Sequence, residues 1–132
     1  MKTYFIGGPL HGFTKEIENH SQRWYEVSNQ NIFLEKYNCH VRLRHWYHYY
    51  NILGQHLYVK QELSIQDAFD LLVLQYLGSQ IGDYPCIGGP QDGMLSFTCP
   101  LGYTRLSIVR DRFVNSTVSA ESTLDILLRG IV

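Results

Sequence analysis

Apolar and polar residues alternate along the stretch from Cys39 to Tyr50, and this pattern predicts the longest β-strand of the chain. One face carries the mostly apolar odd positions and is predicted to face the core: Cys39, Val41, Leu43, His45, Tyr47 and Tyr49. The other face carries a line of basic and aromatic groups: His40, Arg42, Arg44, Trp46, His48 and Tyr50. Shorter runs predict further strands at residues 3–6, 13–17, 23–27, 32–37 and 56–61.

Two segments have the apolar spacing of helices that cover a sheet. Ser64 is predicted to cap the first helix, and Gly78 suits the position just past its end. One face of this helix is apolar: Ile65, Phe69, Leu72, Val73, Tyr76 and Leu77. Ser119 is predicted to cap the second, which offers four apolar side chains for burial: Leu124, Leu127, Leu128 and Ile131.

The segment Ile6–Gly12, with the sequence IGGPLHG, returns as Ile87–Gly93, with the sequence IGGPQDG. Each copy follows a short strand-like run and precedes further strands and a Ser-capped helix. In the second copy we place the strands at residues 84–87, 94–98 and 103–113.

This order predicts an α+β fold with an antiparallel sheet. The sheet is built from two unequal strand-GGPxxG-strand-strand-helix repeats, with the helices packed on one face. The repeats cover approximately residues 3–78 and 84–132 and share one core in a single domain, residues 1–132.

Composition excludes some broad classes of function. There are 11 Lys and Arg against 12 Asp and Glu, so net charge gives no long-range attraction to nucleic acid or a membrane. No long apolar segment resembles a signal peptide or a membrane span, and the three cysteines have no metal-binding spacing. We therefore expect a reduced, cytoplasmic protein that does not associate with membranes. Ten tyrosines suggest an interface, which makes a homodimer a candidate state.

The two glycine turns are candidates for lining a ligand pocket through six residues: Gly7, Gly8, His11, Gly88, Gly89 and Asp92. The alternative interpretation, which we favour, is a structural turn. Proline has no N–H to offer a phosphate, and no Lys-Ser or Lys-Thr follows as in a P-loop. Neither a metal-ligand spacing nor a nucleophile motif is present, so we expect no metal and no cofactor, and the balance is against an enzyme. A small hydrolase would require the fold to bring His11 and Asp92 together.

The strongest candidate surface is the even-numbered face of the long strand, with Arg42, Arg44, Trp46, His48 and Tyr50. Its cations could meet phosphate or carboxylate, and its rings could stack on bases or anchor a protein interface. The alternative is that this face is covered by internal packing or by a second subunit.

The opening strand and its GGPL(D/H)G turn, with the Tyr-rich segments Trp46–Tyr50 and His56–Val59, resemble small proteins encoded by bacteriophages and prophages. In the first copy of the turn, His11 replaces the acidic residue that is usual at this position of the motif. In the second copy, Asp92 is that acidic residue. The resemblance implies a phage accessory protein that acts on a host or defence component in the cytoplasm of the bacterial host. The first hypothesis is therefore an interaction protein that inhibits a host or defence macromolecule by binding. The alternatives are a protein that sequesters single-stranded nucleic acid or a signalling nucleotide, and a small hydrolase.

Overall fold

A computed structural model describes residues 2–17, 23–34, 39–78 and 83–132 of the 132-residue chain. The first unit contains five strands and one helix: β1 (Lys2–Ile6), β2 (Thr14–Glu16), β3 (Trp24–Leu34), β4 (Cys39–Ile52), β5 (Gln55–Lys60) and α1 (Ile65–Leu77). The second contains four strands and one helix: β6 (Tyr84–Ile87), β7 (Leu95–Ser96), β8 (Thr104–Val109), β9 (Arg112–Ser116) and α2 (Ala120–Arg129). The predicted α+β class is confirmed.

The strands form two sheets, with orders β2-β1-β5-β4-β3 and β7-β6-β9-β8. Each sheet contains one parallel pair, β1 with β5 and β6 with β9, and its other pairs are antiparallel. The prediction of one antiparallel sheet was therefore wrong. Alternation indicates which residues share a face, but it does not indicate which distant strand lies alongside. Apart from β3, the two sheets have the same strand order and the same strand directions.

The main core lies between the helices and one face of each sheet. Leu57 and Val59 from β5 meet Leu72 from α1, Leu127 from α2 and Val114 from β9 in one cluster of buried side chains. Both helices begin at the predicted serine caps: the Ser64 and Ser119 hydroxyls accept hydrogen bonds from backbone N–H groups of their own first turns. Each buried aliphatic side chain contributes roughly 1.5–3 kcal/mol, so this cluster is a principal source of stability.

The opposite face of the first sheet carries a separate aromatic cluster. Phe5, Tyr47 and Tyr58 are buried there, with Tyr25 and Tyr49 packed against them. The odd positions of β4 therefore face this smaller cluster at Tyr47 and Tyr49, rather than the main core. Both faces of the sheet are apolar near β5, which simple alternation along β4 does not reveal.

Three predicted runs are divided differently in the structure. Residues 23–27 and 32–37 were predicted as separate runs, but β3 is continuous from Trp24, with an irregularity in its pairing between Ser28 and Asn31. Residues 35–37 of the second run lie outside the described residues. The predicted strand 103–113 is instead the hairpin of β8 and β9, because Asp111 adopts φ 62° and reverses the chain. Aspartate tolerates this left-handed conformation, but no glycine marks the turn in the sequence.

Neither helix in the described ranges is both long and apolar enough to cross a membrane. Cys86 is buried and Cys99 is exposed, and both are free thiols. Across the residues that the structure describes, no three His, Cys, Asp or Glu side chains are grouped as metal ligands.

Candidate functional site

Four aromatic side chains lie on one face of β3 and β4, and we call them the aromatic strip: Trp24, Trp46, His48 and Tyr50. His48 lies opposite Trp24 in the strand register, with ring centroids 4.7 Å apart, and its ring is 4.9 Å from that of Tyr50. Tyr50 packs against the main core. Trp24 and Trp46 remain 44% and 38% exposed. The strip is therefore anchored at one end in the core and open to solvent at the other.

One cation beside the strip has an acidic partner. The Arg44 Nε lies 3.3 Å from a carboxylate oxygen of Glu26, which itself pairs with Trp46 in the strand register. The Arg42 backbone lies in β4, opposite Asn31, and its side chain is outside the described part of the structure. In the predicted row of cations, Arg44 is therefore paired with an acid, Glu26.

The site prediction did not include Trp24 and Glu26, because they belong to a different strand from the other predicted residues. The register that places Trp24 beside His48 depends on how β3 pairs with β4, and the sequence does not specify this pairing. A usable signal was present: Trp24 and Glu26 occupy alternate positions of the predicted run 23–27, so they share a face.

The two glycine turns have similar φ angles at equivalent glycines and matching hydrogen bonds. In the first, the Gly7 N–H donates to His11 Nδ1 at 2.8 Å, and in the second the Gly88 N–H donates to Asp92 Oδ1 at 2.7 Å. Matching backbone bonds close both loops, such as those from the His11 N–H to the Gly8 carbonyl and from the Asp92 N–H to the Gly89 carbonyl. Positive φ angles occur at equivalent glycines in both: Gly7, Gly8, Gly12, Gly88, Gly89 and Gly93.

Each turn is also held by a tyrosine hydroxyl from the neighbouring strand region. Tyr47 donates to the Gly7 carbonyl at 2.8 Å and accepts from the Leu10 N–H at 3.0 Å. Tyr103 donates to the Gly88 carbonyl and accepts from the Gln91 N–H.

The tyrosines also occupy the space above the second glycine of each turn. A Cβ added at Gly8 or Gly89 would lie 2.8 Å from the Oη of Tyr47 or Tyr103, respectively. This packing favours the interpretation of both glycine pairs as structural turns rather than as the lining of a ligand pocket.

His11 and Asp92 each accept a hydrogen bond within their own turn. The Nδ1 of His11 accepts from the Gly7 N–H and is therefore unprotonated, while its buried Nε2 has no hydrogen-bond partner. Burial lowers the pKa of His11. Asp92 Oδ1 accepts from Tyr76 as well as from Gly88, and burial together with this carboxylate raises the pKa of Tyr76 to about 12. Both side chains act as acceptors for their own turn backbone, which does not support a shared general acid–base role.

The geometry of the strip and the turns is the basis for any functional assignment. In comparisons with known proteins, no family model, no curated protein and no solved structure matches this chain.

Proposed function

We propose that this chain is an interaction protein that binds a protein partner through the aromatic strip. The observation that carries the proposal is the pair of partly exposed tryptophans, Trp24 and Trp46, on adjacent strands beside the half-buried His48. Tryptophan is among the residues that most often dominate binding energy at protein interfaces, and two on one rigid sheet lose little entropy on binding.

The position of the strip in the sheet supports the same function. In the strand order, β3 is the outermost strand of the five-stranded sheet. An outermost strand offers backbone N–H and C=O groups that an extended segment of a partner can pair with. A partner strand added beside β3 would lie next to Trp24, so backbone pairing and ring contacts could act together.

A protein partner fits the local charge better than a nucleic acid does. Binding of nucleic acid depends on several cations that neutralise phosphates. Arg44 is paired with Glu26, and the whole chain has a formal net charge of −1. Stacking on the rings would then have to bind nucleic acid without the attraction between cations and phosphates, which makes the nucleic-acid alternative weaker.

The kind of partner follows from the resemblance to phage proteins. We propose a protein of the bacterial host, or of its defence systems, whose action is blocked by binding. His11 and Asp92 each accept a hydrogen bond from the backbone of their own turn, which fits a structural role for both and a partner blocked by occupancy.

Tryptophan fluorescence tests the proposal directly, because the chain has only two tryptophans and both belong to the strip. A partner is first captured from bacterial lysate and purified, and then titrated into the protein. We expect the tryptophan emission to shift to shorter wavelength and to become protected from acrylamide quenching. The variant Trp24→Ala, Trp46→Ala has no tryptophan, so its affinity is measured by calorimetry; it should bind the same partner at least about 100-fold more weakly.

The matched control removes two exposed apolar side chains of the second unit, Phe97 and Leu101, which are 72% and 102% exposed. This variant, Phe97→Ala with Leu101→Ala, should bind normally. Full binding by the tryptophan variant, or partner binding without any change in emission, would refute the proposal. A nuclease-sensitive, salt-dependent signal would replace it with the nucleic-acid alternative, and a signal that depends only on protein concentration would indicate a homodimer.

A further inference from the structure

A groove of about 490 Å³ lies between α1 and the second sheet, away from the aromatic strip. Its apolar walls include Phe69, Val73 and Leu74 from the helix, and Tyr84 and Phe113 from the sheet. Small-molecule sites in proteins occupy about 300–1,000 Å³ and are mostly apolar with a few placed polar groups. The groove has the size and lining of such a site.

The walls of this groove are held by defined contacts. The Arg112 Nε donates to both carboxylate oxygens of Asp70, at 2.9 and 3.1 Å, and this pair ties β9 to α1 at the groove. Leu74 and Phe113 are 46% and 43% exposed, so apolar surface on both walls faces solvent. Covering that surface with an apolar ligand would be favourable, at roughly 25 cal/mol per Å² removed from water.

The aromatic wall is suited to a positive charge. The rings of Tyr84 and Phe113 meet edge to face with centroids 6.3 Å apart. The guanidinium of Arg105 occupies one face of the Tyr84 ring, 4.1 Å from its centroid, so the aromatic surface left for a ligand is chiefly the 43% exposed Phe113. Aromatic faces attract cations through the ring quadrupole, and organic ammonium groups are bound in this way.

The charged groups lining the groove also favour a cation. Among the described lining residues, three are aspartates, Asp70, Asp83 and Asp111, and one is a cation, Arg112. Since Arg112 pairs with Asp70, the carboxylates of Asp83 and Asp111 are in excess. An anion entering the groove would meet this negative potential, whereas a cation would be attracted by it.

We propose that this groove is a binding site for an organic cation, in which an ammonium group is carried on an apolar body. The apolar body lies against Leu74, and the ammonium group is held by the Phe113 ring and by the excess carboxylates. This site is separate from the aromatic strip, so either assignment can fail without the other.

Two probes that share a hexyl group but carry opposite charges test the proposal: hexyltrimethylammonium and hexanesulfonate. Each is titrated into the isotope-labelled protein, and binding is followed by amide chemical shifts. We expect saturable shifts for groove amides with the cation and none with the sulfonate. The variant Asp83→Asn with Asp111→Asn should bind the cation about tenfold more weakly, because two screened attractions are lost. Asparagine also tolerates the positive φ of Asp111, so the backbone is preserved. Glu121→Gln, which removes an exposed acid outside the groove, should bind as the unaltered protein does.

A second variant keeps the test independent of the aspartates. Leu74→Lys places a fixed ammonium group at a half-exposed position of α1, where lysine is a good helix former, and should abolish cation binding. Its unfolding midpoint in urea should stay close to that of the unaltered protein. Equal binding of the two probes, no saturable binding of the cation, or unchanged affinity in either groove variant overturns the proposal.

Discussion

The hydroxyl of Tyr47 offers a sharp test of how the first glycine turn is held. Tyr47→Phe removes one oxygen and keeps the ring, which is fully buried against Phe5 and Tyr58. No cavity larger than the hydroxyl results, so the change in stability reports the hydrogen bonds themselves. Burial raises the pKa of Tyr47 above its ordinary value of 10.0, so at neutral pH the hydroxyl keeps the proton that it donates to Gly7.

The expected magnitude follows from the two backbone groups left behind. The Gly7 carbonyl is buried and would lose its donor, and the N–H of half-buried Leu10 would lose its acceptor. An unsatisfied buried polar group costs about 1–3 kcal/mol, whereas water can partly replace a lost partner at a half-buried one. We therefore expect Tyr47→Phe to lower the free energy of unfolding by about 2–3 kcal/mol.

Urea unfolding monitored by circular dichroism measures this loss of unfolding free energy. Two matched variants serve as controls. Tyr103→Phe removes the equivalent pair of bonds from a turn whose Gly88 and Gln91 are both half-buried, so it should cost only about 1 kcal/mol. Tyr25→Phe removes a hydroxyl bonded to the exposed amine of Lys15, and should change stability by less than about 0.5 kcal/mol. A Tyr47→Phe variant as stable as Tyr25→Phe would refute the reasoning.

Two further predictions concern equivalent positions of the two turns and the pH response of the first. Gly12→Ala should lower the free energy of unfolding, measured in urea, by about 2 kcal/mol more than Gly93→Ala does. Both glycines have positive φ, but only at Gly12 would an added Cβ meet a backbone oxygen, that of Ile131 at 2.3 Å. Equal losses would contradict the packing of this turn against the C-terminal end. Since burial lowers the pKa of His11 below 6.5, the unfolded chain binds the proton more readily, and stability should fall as pH drops from about 7 to 5. His11→Asn keeps an acceptor for the Gly7 N–H and should reduce that fall, so an unchanged pH profile of stability would count against this role.

Much of the fold could be predicted because local signals decided it. The serine caps mark the helix starts: Ser64 accepts from the Asp67 N–H, and the Asp67 carboxylate accepts in return from the Ser64 N–H. The glycine turns were also readable, because positive φ at several positions requires glycine. What the sequence does not show is the parallel pairing of β1 with β5, since that contact joins segments far apart along the chain.

The candidate site was predictable only in part for the same reason. Trp46, His48 and Tyr50 share a face through simple alternation along one strand. Trp24 joins them through cross-strand register, which side-chain packing decides after the sheet has formed. The function of the two turn-holding tyrosines was also hidden, because ten tyrosines give no sequence signal that distinguishes Tyr47 and Tyr103 from the others.

The comparison of the two units separates features that both contain from features that only one contains. The strand registers make Leu106, opposite Val114, the counterpart of Tyr50, which lies opposite Leu57. The second sheet ends at β8, whereas the first continues to β3 and Trp24. Glycine turns, tyrosine hydroxyls and helix caps occur in both units and therefore serve folding, while the aromatic strip occurs in one unit and its most exposed members contribute little to the core. Substitutions in the shared frame should then reduce stability and binding together, whereas substitutions of the strip tryptophans should reduce binding alone.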